Sequence, residues 1–224
     1  MNSVREKSYK NKGNLPVLNR MPETARTVLD VGCGAGDNAR LLKERGLVID
    51  GITLSEEEAA ASREFCRQVW IFNLEDGLPP EVTDRYDAVI CSHVLEHVCW
   101  PEKCLAGIHR CLDPQGRLIV ALPNLMFLPN RIKLTLGRFE YTNRGIMDNT
   151  HFRFYTFCSA PRMLARNGFE VVESAAYGYL PQPGLRRLAP KLSKAIDPWC
   201  SKAAPGWFGG QMVFAAKPAT PPSA

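Results

Sequence analysis

The stretch Val28-Leu-Asp-Val-Gly-Cys-Gly-Ala-Gly36 decides the fold. Residues 27–31 form a short, nearly continuous apolar run, and three glycines follow it at two-residue spacing. A buried strand that ends in glycines and opens into a helical pattern, here 37–45, is the start of a βα unit. The glycines let the backbone turn sharply and approach a ligand, and the helix N-terminus behind them offers free N–H donors. The spacing is G-x-G-x-G with no Lys-Ser/Thr after it, so the loop is not a phosphate-cradling P-loop. Asp30 stands two residues before the first glycine.

The βα rhythm continues outward. Strands are predicted at 47–54, 69–72, 86–91 and 117–122, with helices at 55–67 and 101–112 between them. Ser55-Glu-Glu-Glu58 has capping-box spacing, and Pro101 stands at the first turn of its helix. The rhythm lapses at 123–155, then resumes with a helix at 159–167, a strand at 169–175 and a last strand at 211–217. Such alternation implies right-handed crossovers and a parallel α/β sheet. A chain of 224 residues, 45% of them hydrophobic, suits a single domain, 1–224, with a real core. Within it, 1–26 reads as an N-terminal arm with one short helix and 218–224 as a disordered tail. There is no internal repeat.

No stretch approaches the roughly 18–20 consecutive apolar residues of a spanning helix, and residues 1–7 carry no apolar signal core. A cytoplasmic location is the expectation. None of the eight cysteines forms a C-x-x-C pair, and several lie in apolar runs, so they read as small buried hydrophobes in a reducing compartment. The net charge of +5 is uneven. Residues 1–122 carry 15 Lys and Arg against 18 Asp and Glu, net −3, whereas 123–224 carry 13 against 5, net +8. That basic half suits an anionic or lipid-linked acceptor, or is a solvated face with no partner. Leu185, Leu188, Leu192 and Ile196 fall near one helical face and Arg186, Arg187, Lys191 and Lys194 mostly on the other. Pro190 in the middle limits it to two short turns, so this is a surface helix packed on the domain or, at most, a peripheral membrane contact.

Taken together, the glycine loop, Tyr86-Asp-Ala-Val-Ile-Cys-Ser-His-Val-Leu-Glu-His97 and Gly116-Arg-Leu-Ile-Val-Ala-Leu-Pro-Asn124 resemble the first motif, fourth strand and fifth strand of class I S-adenosylmethionine-dependent methyltransferases. The resemblance spans roughly residues 24–217. It implies a Rossmann-like seven-stranded sheet, order 3-2-1-4-5-7-6 with the last strand antiparallel, and helices on both faces. The ligand lies at the carboxyl ends of such strands. It also implies S-adenosyl-L-methionine as cofactor. Asp30 would fix the loop or receive the ammonium, and Gly32, Gly34 and Gly36 would pass close to the methionine part. The usual ribose-binding acid is replaced by Thr53. Glu58, one turn on, would supply the carboxylate, or else only complete the cap with Ser55. Asn73 and the Leu74 N–H would meet the adenine, and Ser92 would flank the methyl donor.

Gly137 to Thr156, with Asp148-Asn-Thr-His-Phe-Arg-Phe-Tyr-Thr156, resembles a stretch of a bacterial methyltransferase subgroup associated with saccharide and cell-envelope biosynthesis. Placed after strand 5, 123–155 would be an acceptor-binding cap. His151 is the candidate general base, oriented by Asp148 or Tyr155, with His93 next; the alternative is that His151 only pins the cap. His93-Val-Leu-Glu-His97 also matches H-x-x-E-H, but that zinc motif needs a long helix, and here it follows a strand directly, so no metal is expected. The expected reaction is O-methylation of a small-molecule or saccharide-type acceptor. The alternative from another class is a non-catalytic regulatory subunit on the same fold. No Asn/Asp-Pro-Pro-Tyr motif or RNA-binding module is present, so nucleic acid is not the expected partner. The sequence does not define an oligomeric state.

Overall fold

The structure, a computed structural model, describes residues 12–219. In chain order it contains α1 (Leu15–Leu18), β1 (Thr27–Val31), α2 (Asp37–Glu44), β2 (Val48–Thr53), α3 (Glu56–Ser62), β3 (Gln68–Ile71), β4 (Tyr86–Ser92), α4 (Pro101–Cys111) and β5 (Leu112–Pro123). Then follow α5 (Leu128–Thr135), α6 (Ser159–Arg166), β6 (Phe169–Gly178), α7 (Pro183–Leu188), α8 (Pro190–Ala203), α9 (Pro205–Phe208) and β7 (Gly209–Pro218). The strands make one sheet in the order β3-β2-β1-β4-β5-β7-β6. The β1–β2, β1–β4, β2–β3 and β4–β5 pairs are parallel, while β7 runs antiparallel to both its neighbours. This is the order and the single reversed strand that the resemblance implies.

The central strands are apolar throughout because both their faces are covered. Side chains alternate between two cores. Leu29, Val89, Cys91, Leu118 and Val120 join α4 and α6 on one face. Val28, Ile90 and Ile119 join Leu42 of α2 and Ala59 of α3 on the other. Among the described residues six of the eight cysteines are buried, and none is in a disulfide.

Several segments differ from the sequence reading; β5 starts five residues before the predicted strand and β6 runs three residues past it. Helix α3 stops at Ser62, because Arg67 is drawn into the entry of β3. Its backbone N–H donates to the Ile49 carbonyl and its guanidinium pairs with Asp50 and Asp84. Strand β7 reaches Pro218 and the Ala219 N–H donates to Gly168, so these two residues are not tail; the rest of the expected disordered tail lies outside the described residues, as do residues 1–11 of the arm. Finally, Leu188 and Leu192 face solvent, and α8 buries Ser193, Cys200 and Ser201 instead. Pro190 opens α8 as a helix separate from α7, so Leu188 and Leu192 do not share one continuous helical face.

Candidate functional site

A cleft of about 850 Å³ opens at the carboxyl ends of β1, β2 and β4. Its size suits a small ligand. The loop after β1 forms its floor. Gly32, Gly34 and Gly36 all have positive φ, which favours glycine, and a Cβ on Gly32 would stand 2.5 Å from Val94 Cγ2. Gly32 and Gly34 line the cleft. Gly36 does not: it caps α2, and a Cβ there would crowd Ser62 of α3. Asp30 lies behind the loop, fully buried, and neither of its carboxylate oxygens has a hydrogen-bond partner. Burial pushes its pKa up to about 7, the Asn38 side chain opposing only in part.

Thr53 and Glu58 line the cleft together, and the Thr53 hydroxyl donates to Glu58 Oε2 at 2.6 Å. Ser55 Oγ accepts from the Glu58 backbone N–H, so the cap uses the main chain of Glu58 and leaves its carboxylate to Thr53. Asn73 and Leu74 line the far end. The Asn73 side chain accepts from the Glu75 N–H, which holds its amide in place.

The opposite wall is a network that sequence reasoning missed in part. Ser92 Oγ accepts from Asn14 Nδ2, the Asn14 N–H donates to Asn38 Oδ1, and Asn14 and Gln211 exchange two amide hydrogen bonds. The arm therefore crosses the cleft and ties β4, α2 and β7 together. Asn14 and Gln211 carry no local motif, because their partners are up to 197 positions away in the chain.

His93 has φ of 58°, the one positive value for a non-glycine among the described residues. Such a backbone costs roughly 1–3 kcal/mol and persists where the surroundings dictate it. Here the His93 N–H donates to Ala121, and the ring is held by Glu96 Oε1 (3.1 Å, Nδ1) and Gln211 Oε1 (2.8 Å, Nε2). Burial disfavours its charged form, but the Glu96 carboxylate outweighs this and raises its pKa. With both nitrogens engaged, His93 is a positioning group and not a free base.

His151 reaches the cleft from the segment between β5 and α6. Its Nδ1 faces the Ile146 carbonyl at 3.0 Å, and burial lowers its pKa. The Ile146 carbonyl thus orients the ring, while the His151 backbone N–H donates to the Asp148 carbonyl. The Asp148 carboxylate accepts from the N–H and hydroxyl of Thr150, and the buried Tyr155 hydroxyl has no partner. The segment docks because the Phe152 and Arg153 N–H groups donate to the Glu96 carbonyl and the Arg153 guanidinium to Cys99. His93 and His97 do not share a helix: His97 ends a 3-10 turn, Leu95–His97, that begins two residues after His93, and Glu96 and His97 lie next to His151.

Residues 5–174 match the family described as a methyltransferase domain. The chain belongs to that family. Its curated relatives include the ubiquinone biosynthesis O-methyltransferases of Pseudomonas paraeruginosa, 30% identical over 44% of this chain and 45% of the relative, and of Aeromonas salmonicida, 26% identical over 70% and 68%. The chain spans about half the length of several relatives it matches, 45%, 58% and 55% for three of them. A SAM-dependent methyltransferase from Archaeoglobus fulgidus shares the fold with a TM-score of 0.59 at 20% identity, covering 91% of this chain and 89% of that one. So does the [4+2]-cyclase SpnF, at 0.59 and 19%, covering 98% and 88%. At such identities the likeness shows the fold alone, and SpnF illustrates that one scaffold carries more than one chemistry. S-adenosylmethionine is the family's cofactor, and the residues fit it. Gly32 and Gly34 bring bare backbone at positive φ to the cleft, and Glu58 presents a carboxylate to it.

Proposed function

We propose that this chain transfers a methyl group from S-adenosylmethionine to a hydroxyl of a small acceptor. One observation carries the reading: an intact donor floor and a cluster of acceptor-side imidazole and carboxylate groups share a single cleft. Gly32 and Gly34 take the methionine part, with Asp30 behind them as the counter-charge. Thr53 and Glu58 take the ribose hydroxyls, and Asn73 and Leu74 the adenine. The Asn14–Ser92–Gln211 network closes the near side and excludes water.

Bound cofactor supplies a methyl group on a sulfonium, a leaving group that needs alignment more than activation. The protein's task is therefore to hold the acceptor oxygen in line, and His151, on the docked segment 124–158, stands at that end. The O-methyltransferase names of the relatives support oxygen as the acceptor atom. They are quinone-pathway names, so a phenolic acceptor takes precedence over the saccharide suggested by 137–156. Among the described residues no helix is long and apolar enough to cross a membrane.

The test is transfer of labelled methyl from S-adenosylmethionine to parallel panels of phenolic and saccharide acceptors. Transfer to a phenol supports the reading. Cofactor binding without transfer to any hydroxyl in either panel overturns it and favours a regulatory role on the same fold.

A further inference from the structure

Glu96, His97 and His151 converge although hydrogen bonding alone gives them no reason to. One ligand atom from each lies within 4.8 Å of the others. Glu96 is fully buried, and its Oε2 has no hydrogen-bond partner, which is costly in a folded interior. The two imidazoles meet edge to face, 4.6 Å between centroids.

Their outward partners explain the orientation. His97 Nδ1 faces the Thr150 carbonyl at 3.2 Å, and His151 Nδ1 faces the Ile146 carbonyl at 3.0 Å. A carbonyl only accepts, so each Nδ1 carries the hydrogen and each Nε2 keeps its lone pair. Glu96 Oε1 is held by His93 Nδ1, which leaves Oε2 open. Thr150 is itself fixed, its hydroxyl donating to Asp148 Oδ1 at 2.7 Å. Each of the three groups thus has one atom anchored in an outer shell and one free, which is how metal ligands are held.

We propose that Glu96, His97 and His151 bind a divalent first-row cation whose open positions face the acceptor side of the cleft. Two neutral imidazoles and one carboxylate suit Zn²⁺, Co²⁺ or Mn²⁺, and three protein ligands leave room for an oxygen ligand from outside. The H-x-x-E-H reading considered His93 with His97; the convergent set instead draws its third member from 54 residues further along the chain. The site joins the turn after β4 to the segment that docks on it, so the ion also fastens that segment.

Resting on the methyltransferase reading, the site gives the acceptor its activation. A cation there lowers the pKa of a hydroxyl that binds it. The hydroxyl proton leaves to water, an oxygen lone pair forms the C–O bond, and the C–S pair stays on sulfur as the thioether. His151 is then a ligand and not the base.

The experiment is equilibrium dialysis of chelator-stripped protein against Co²⁺ and Zn²⁺, with metal counted per chain and the Co²⁺ absorption recorded. Binding of S-adenosylhomocysteine is measured in parallel. One ion per chain is expected, with affinity reduced roughly 10–100-fold or more in His151→Ala and Glu96→Gln. S-adenosylhomocysteine binding should persist in both. If Glu96→Gln does not fold, His97→Gln at the less buried ligand serves in its place. No stoichiometric ion in the wild type, or equal uptake by the variants, overturns the site while leaving cofactor binding intact. Loss of S-adenosylhomocysteine binding in the metal-free wild type would instead strike the methyltransferase reading itself.

Discussion

Two aspartates on neighbouring strands are equally buried and opposite in every other respect. Asp50 of β2 sits beside Leu29 of β1, and Asp30 beside Gly51; each is 1% exposed. Asp50 accepts from the Tyr86 hydroxyl at 2.8 Å and from Arg67 Nε at 3.0 Å, with a second contact from the same guanidinium. Neither Asp30 oxygen has a hydrogen-bond partner within 3.5 Å, and the nearby Asn38 side chain only partly favours its ionised form. Asp50 is in the first half of β2, away from the cleft, whereas Asp30 is one residue from the carboxyl end of β1, directly beneath the glycine loop. Equal burial therefore leaves one carboxylate fully satisfied and the other largely unsatisfied, and we propose that the unsatisfied one serves the ligand. Glu96 combines both conditions, with one oxygen held by His93 and the other open.

Removing the satisfied carboxylate should have the largest effect. Asp50→Ala leaves the Tyr86 hydroxyl and part of the Arg67 charge without a partner, and breaking a buried pair costs about 3–5 kcal/mol. Arg67 is half-exposed, so about 3 kcal/mol is expected, read as a lower urea midpoint, with S-adenosylhomocysteine affinity unchanged in the folded fraction. A melting point within a degree of wild type would show that the pairing is incidental.

Asp30→Asn should do the reverse. A pKa raised from 3.8 to about 7 means that folding favours the protonated acid. Its stabilising contribution is full below the unfolded pKa and is lost as pH rises through about 7. Wild-type stability should accordingly fall between pH 4 and 7 by a few kcal/mol at most, at about 1.4 kcal/mol per unit. The Asn variant should lack that decline and be the more stable protein at pH 8. Parallel pH–stability curves for the two would refute this assignment.

Glu58→Gln should have the smallest effect. The helix cap uses the Glu58 main chain, so the melting point should stay within a degree or two. Cofactor affinity should weaken by about 1–2 kcal/mol, the scale of a hydrogen bond to a charge. Unchanged calorimetric affinity would remove the ribose role.

The same division explains what was legible in the sequence. The glycine loop, the capping residues and the strands themselves show as local patterns, because an apolar run covered on both faces and a backbone at positive φ each restrict residue type where they occur, whereas the strand order follows from the resemblance of three motifs to class I methyltransferases. Thr53 and Glu58 were visible as a pair one helical turn apart. The remainder depends on distant partners. Asn14 and Gln211 meet across nearly the whole chain, and His151 meets Glu96 and His97 across the insertion. Glu96 and His97 were in plain view inside H-x-x-E-H, but the motif's own logic pointed to His93, whose ring is committed to Glu96 and Gln211. Pro190, which opens α8, breaks the helical phase between Leu188 and Leu192, and both face solvent.

The most direct test is calorimetry of S-adenosylhomocysteine binding from pH 5.5 to 8.5 in buffers of different ionisation enthalpy. A cationic ligand group facing Asp30 favours its ionised form. One site per chain is therefore expected, with protons released on binding near neutral pH and affinity falling close to tenfold per unit below about pH 7. Gly34→Arg should abolish the heat by blocking the loop, and Asp30→Asn should flatten the pH dependence. Absence of binding up to about millimolar ligand, or a wild-type affinity that ignores pH, would contradict the assignment of the cleft and of its unsatisfied aspartate.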